Sequence, residues 1–84
     1  MKVAERFGEN LIRCRKAALL SQEQLAFAAE LHRTEVGMLE RGVRVARVDT
    51  LVKLAGALGV DVRELLDGLV WTPGEPARGR FEGR

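Results

Sequence analysis

The sequence predicts an all-α domain of five short helices, and three observations carry that reading. Apolar residues recur at three- and four-residue steps along most of the chain up to Trp71. Aromatics make up only 5% of the 84 residues while Ala and Leu dominate, a balance that favours helix over sheet. Ser21, Gly42, Gly59 and Asp61 stand where helices should start or stop. No strand signal and no internal repeat is legible.

The elements follow in order. The first helix runs from about Val3 to Ala18, with Val3, Phe7, Leu11, Cys14 and Ala18 forming one apolar stripe. Ser21 caps the second helix, its hydroxyl accepting from first-turn amides, and Gln24 three residues on completes a capping box. That helix spans about Gln22 to Ala29 and buries Leu25, Ala26 and Ala29. A third helix covers about Arg33 to Arg41 with Val36 and Leu39 inward, and Gly42 ends it in a left-handed cap. The fourth begins near Asp49, turns Leu51, Leu54, Ala55 and Leu58 to one side and stops at Gly59. Asp61 caps a fifth helix bearing Val62, Leu65, Leu66 and Leu69. Residues 1–71 thus read as one domain, and 72–84, rich in Pro, Gly and charge without periodicity, as an extended or disordered tail.

Composition removes several function classes. An apolar content of 46% with 31% charge belongs to a folded chain with one modest core. The single cysteine, Cys14, cannot form an intrachain disulfide, and with one histidine, His32, no Cys/His zinc site can be assembled. Cys14 lies on the apolar stripe and reads as a core thiol; His32 reads as a turn or N-cap residue. No apolar run approaches the roughly 20 residues of a membrane span, and no secretory pattern opens the chain, so the cytoplasm is the expected compartment. There is no Gly-rich phosphate loop, no metal-ligand cluster and no Ser/His/Asp set. Neither an enzyme nor a bound cofactor is therefore expected.

The net charge of +2 says little, but its distribution says more. Arg41, Arg44, Arg47 and Lys53 face a single acid, Asp49, whereas Asp61, Glu64 and Asp67 outweigh Arg63 further on. One end of the domain is basic and the other acidic, as expected if one face meets phosphates.

Ser21 to Gly42 is the most informative stretch: two short helices joined by a tight bend, the second carrying exposed Arg, Thr, Gly and Met. That is the outline of a helix-turn-helix, whose second helix enters the DNA major groove. From about Phe7 to Leu69 the chain resembles the phage repressor and Cro type of helix-turn-helix, the XRE family. The resemblance rests on Arg15 six residues before Ser21, on Ser21-Gln22 followed by Leu25-Ala26, and on Val36 with Leu39-Glu40-Arg41-Gly42. It continues through Leu51, Leu54-Ala55, Leu58-Gly59-Val60 and Leu65-Leu66. It implies a five-helix bundle, operator binding as a dimer and transcriptional regulation, as a repressor or autoregulator. The chain departs from the family pattern at two places. Glu30 stands at the inter-helix turn where Gly is common, so a non-Gly residue has to accept a positive φ at a cost. Ala46 stands where Pro often precedes the fourth helix.

What the resemblance implies can be followed residue by residue. Arg15 and Glu40 match an ion pair joining the first helix to the end of the third. Gln22, at a helix start whose free amides suit an anion, falls against the DNA backbone beside the first recognised bases. Arg33, Thr34, Gly37 and Met38 fall in the major groove: Arg33 with a fork for guanine O6 and N7, Thr34 with a hydroxyl, Gly37 allowing close approach, Met38 able to touch a thymine methyl. Arg41, Arg44 and Arg47, at three-residue steps, run along the phosphates. The expected partner is a palindromic double-stranded operator met by a homodimer. Leu65, Leu66, Leu69, Val70 and Trp71 offer more apolar surface than one bundle needs, and form the expected dimer interface. The alternative on the same fold is an antitoxin or protein-interaction module whose main partner is a protein such as a toxin.

Overall fold

The computed structural model describes residues 2–74 and 78–82. Among them are α1 (Val3–Ala17), α2 (Gln22–Ala29), α3 (Arg33–Glu40), α4 (Val48–Leu58), α5 (Val62–Leu65) and strands β1 (Val70–Thr72) and β2 (Arg80–Glu82). The caps explain the boundaries. Ser21 Oγ accepts from the Gln24 amide at 3.0 Å while Gln24 Oε1 accepts from the Ser21 amide at 2.8 Å, a reciprocal box that starts α2. Gly42 and Gly59 follow α3 and α4 at φ +72° and +69°, the left-handed stop read in the sequence. Glu30 takes φ +56° at the end of α2, so the turn keeps its geometry without the glycine. The Leu31 amide closes that turn on the Ala26 carbonyl at 2.8 Å.

Each helix contributes one leucine with no exposure: Leu11, Leu25, Leu39, Leu54 and Leu65, joined by Val36. Around this centre α1 packs on α3 and α5, α2 on α3 and α4, and α4 on α5. Gly8 sets the α1–α3 distance. A Cβ there would lie 2.6 Å from the Glu40 carbonyl oxygen and 2.7 Å from that of Leu39, so the crossing is a helix-to-backbone contact that tolerates no side chain.

Three expectations change. The fifth helix is a single turn, because Gly68 at φ +82° and the turn at 66–68 end it before Leu69. Two short strands that no sequence signal announced lie at 70–72, across the expected domain boundary, and at 80–82, within the segment expected as an extended or disordered tail. They pair as an antiparallel two-stranded ladder with Trp71 opposite Phe81, added to the helical bundle. Trp71 and Phe81 meet edge to face at 5.1 Å, a cross-strand aromatic pair that local propensity in so short a strand does not announce. Part of the expected tail, residues 75–77 and 83–84, lies outside the described residues. Finally, Leu65 is wholly buried and so cannot line a dimer interface as expected. With α5 one turn long, its inward residue is consumed by the bundle.

Asn10, unread in the sequence, is also wholly buried. Its amide nitrogen donates to the Leu65 carbonyl at 3.0 Å and to the Asp67 carbonyl at 2.9 Å, while its oxygen accepts from Arg13 at 2.9 Å. Arg6 donates to the Asp67 carbonyl at 3.0 Å and Arg13 to that of Glu64 at 3.3 Å. One row on α1 thus satisfies the orphan carbonyls at the end of α5.

Candidate nucleic-acid interface

The third helix is held from behind. Arg15 Nε donates to Glu40 Oε2 at 2.6 Å and Nη2 to Oε1 at 3.1 Å, a two-pronged pair between α1 and the last turn of α3. The Glu40 side chain is 4% exposed and that of Arg15 15%. Arg15 Nη1 also reaches the Leu20 carbonyl at 3.0 Å, tying in the loop before α2. The hydrogen bond from Arg15 to Glu40 holds the guanidinium proton tighter, raising the Arg15 pKa above its ordinary value against the opposing effect of burial.

Gln22 belongs to the same network. Its Nε2 donates to Glu40 Oε1 at 2.9 Å, which fixes the amide and leaves its oxygen and second N–H for other partners. Sequence reasoning placed Gln22 against DNA and Glu40 against Arg15, but not the bond between them. The i-to-i+18 separation has no local pattern to betray it.

In front of this network lies a recess of about 210 Å³ lined by Gln22, Arg33, Thr34, Gly37 and Arg41. Five of the eight residues expected to touch DNA therefore converge on one concave face, contributed by the start of α2 and one stripe of α3. Arg33, Thr34 and Arg41 are exposed and Gln22 is half-buried. Gly37 differs from expectation: it is buried, because the Arg41 side chain lies over it, with Nη1 3.2 Å from where a Gly37 Cβ would stand. The other three do not line the recess. Met38 is half-buried. Arg44 and Arg47 are exposed on the α3–α4 connection, where Arg47 Nε lies 3.4 Å from Asp49 Oδ1 in a surface pair of little energetic weight. His32 is the N-cap of α3 and makes no side-chain capping bond.

Around α5 and the terminal ladder, Leu66 is 39% exposed, Val70 47% and Trp71 53%, with Phe81, which the sequence reading passed over, at 48%. Leu69 is half-buried. Cys14 is buried, and desolvation raises its thiol pKa, as befits a core thiol. Among the described residues no group of His, Cys, Asp and Glu could hold a metal, and no helix is long and apolar enough to cross a membrane.

The geometry invites comparison with known proteins. A family described as "Helix-turn-helix" (HTH_3) matches residues 11–65, from α1 through α5. The chain belongs to it. This helix-turn-helix protein is 42% identical over 62 residues to the control protein C.BamHI of Bacillus amyloliquefaciens, across 73% of this chain and 76% of that one. It is 44% identical over 66 residues to the control protein C.SmaI of Serratia marcescens, across 79% of each. Among solved structures, the restriction-modification controller protein C.AhdI of Aeromonas hydrophila superposes with a TM-score of 0.72 at 45% identity, over 74% of this chain and 94% of that one. The clp gene regulator ClgR of C. glutamicum matches with a TM-score of 0.75 at 26% identity, over 79% and 86%. The helix-turn-helix chain is accordingly a DNA-binding transcriptional regulator of the XRE type. Such relatives favour that reading over the antitoxin or interaction module.

Proposed function

We propose that this regulator binds a palindromic double-stranded operator as a homodimer, in the cytoplasm, and acts as a controller of restriction–modification genes, as its relatives are named. The observation that carries the reading is the concave cationic face in which Gln22, Arg33, Thr34, Gly37 and Arg41 converge, backed by the Arg15–Glu40–Gln22 network. Inserted in the major groove, the exposed start of α3 brings Arg33 and Thr34 to base edges, while Arg44 and Arg47 on the following loop reach phosphates. The N-terminus of α2 adds free amides beside the backbone.

The dimer contact is assigned to Leu66, Leu69, Val70 and Trp71, now with Phe81 and without Leu65. Four of these, Leu66, Val70, Trp71 and Phe81, are large apolar side chains at least 39% exposed, and Trp71 and Phe81 meet edge to face. A two-fold contact there sets the two α3 helices roughly 34–36 Å apart, one turn of DNA.

Duplex binding across a salt series, combined with sedimentation, tests the proposal. Arg33→Ala should weaken operator binding by about 1–3 kcal/mol and relax preference at one base pair. Arg44→Ala should weaken all duplexes alike and flatten the salt slope by about one unit. Trp71→Ala should shift sedimentation towards monomer and cost operator affinity with helix content intact. A wild type that retains no duplex in a salt-dependent way would sink the reading. One that sediments as a monomer at tens of micromolar would remove the dimer.

A further inference from the structure

We infer that Arg41 is a base-reading residue, seated by the missing side chain of Gly37, rather than a phosphate clamp in series with Arg44 and Arg47. The inference rests on the reading that this face meets duplex DNA.

Three observations carry it. First, Arg33, Gly37 and Arg41 stand at four-residue steps and so share one stripe of α3, with Thr34 beside it. Side chains on a helix lean towards its N-terminus, so Arg41, at the C-cap, is directed back over the turn that holds Gly37. The guanidinium is found there: its Nη1 lies 3.2 Å from the place of a Gly37 Cβ, and beyond the chain neighbours of Gly37 and the backbone of α3 itself no other atom comes within 4 Å of that place. Any larger residue at 37 competes with the Arg41 head group for the same space.

Second, the fold brings Arg41 into the recess with Arg33, Thr34 and Gln22, while Arg44 and Arg47 stay outside it. Spacing along the chain groups Arg41 with the loop arginines; the structure groups it with the groove-facing residues.

Third, Arg41 is uncommitted. Arg15 is spent on Glu40 and the Leu20 carbonyl, and Arg47 pairs with Asp49. Among the described residues the Arg41 side chain has neither an ion-pair nor a hydrogen-bond partner, and Arg33 is in the same state. Two free guanidinium forks thus flank a recess about 210 Å³ in volume, beside an amide whose orientation Glu40 fixes. The partner that chemistry recognises is a guanine edge, whose O6 and N7 match the planar fork. A phosphate accepts the same fork but carries no base sequence, so it is the seat beside Arg33 and Thr34, not the fork alone, that points to a base edge. The recess therefore fits guanine on both of its arginine sides.

Lysine separates the two roles, since it keeps the charge and loses the fork. Binding sites are selected from a randomised duplex with the wild type, Arg41→Lys, Arg41→Ala and Gly37→Ala. Affinity for the selected and a scrambled duplex is then measured across a salt series, with helix content and melting temperature recorded. Arg41→Lys should cut the ratio of selected to scrambled affinity roughly tenfold and relax preference at one or two base pairs, with an unchanged salt slope. Gly37→Ala, a better helix former, should lose part of the same discrimination while melting no lower than the wild type. Full discrimination in Arg41→Ala, or an equal fall on both duplexes in that variant with a slope about one unit flatter, overturns the assignment. If the wild type itself selects no site, the DNA-facing reading fails and Arg41 with it; if it selects one that Arg41→Ala selects equally, only the Arg41 role fails.

Discussion

The two ends of the bundle are built on opposite principles. At the α3 end, charged side chains meet each other: Arg15 and Glu40 form a two-pronged pair that also holds the Gln22 amide. At the α5 end, side chains meet main chain: Arg6, Asn10 and Arg13 donate to the carbonyls of Glu64, Leu65 and Asp67. The first arrangement needs two particular residue types at two positions and leaves a trace in the sequence. The second needs a donor on α1 only, because every residue of α5 supplies a carbonyl. Asn10 beside the stripe of Phe7, Leu11 and Cys14 was the one available signal, an amide at a position one helical turn from core residues.

Substitutions at the two ends should separate them. The largest effect is expected at the charge network. Glu40→Ala strands a partly buried guanidinium and the Gln22 amide, and should cost about 3–5 kcal/mol in urea unfolding. Glu35→Ala, in the same helix and without a side-chain partner among the described residues, should cost well under 1 kcal/mol, roughly the worth of a surface helix charge. Equal losses would mean that the two-pronged pair holds nothing together.

Asn10→Ala comes next. The buried Leu65 carbonyl loses its donor at about 1–3 kcal/mol, while the part-buried Asp67 carbonyl keeps Arg6 and loses one hydrogen bond worth about 1 kcal/mol, so about 2–4 kcal/mol in all. Its signature should be local as well as global. Amide exchange around Leu65 to Leu69 should accelerate more than exchange in α3. Protection lost evenly across the domain would argue against an anchor confined to α5.

Gly8→Ala should be smaller, about 1–3 kcal/mol, since the new methyl meets the backbone of Leu39 and Glu40 and α1 has to shift. Its cost should appear in operator affinity as well as in stability, because the displaced contact is the end of α3. A loss of stability with DNA affinity unchanged would show that α1 does not set the pose of α3.

The smallest effect concerns pH. The Arg63 backbone amide, donating to Asp61 at 2.9 Å, lowers the Asp61 carboxyl pKa from its ordinary 3.8, with the Arg63 side chain acting in the same direction. The folded pKa lies below the unfolded one. The contribution is therefore fully present above about 3.8 and is lost as pH falls through the lowered folded value. Asp61→Asn keeps an N-cap acceptor without a titrating group, so its stability should fall less steeply than the wild type's below that pH. Parallel acid limbs for the two proteins would assign the acid sensitivity to other carboxylates.

Periodicity and caps alone determined the helical class, the α2 boundaries and the stops at Gly42 and Gly59, because those depend on residues a few positions apart. Family spacing pointed to Arg15 with Glu40 and to the residues of α3 that line the recess. Tertiary structure alone decided what depends on packing between distant segments. Gly68 and the turn before it cut α5 to one turn, Leu65 entered the core, and the terminal strands paired Trp71 with Phe81 in the open. Asn10 became an anchor only because α5 ends beside it. Arg41 left the company of Arg44 and Arg47 because a helical side chain leans back along its helix, and Gly37 had kept the space for it.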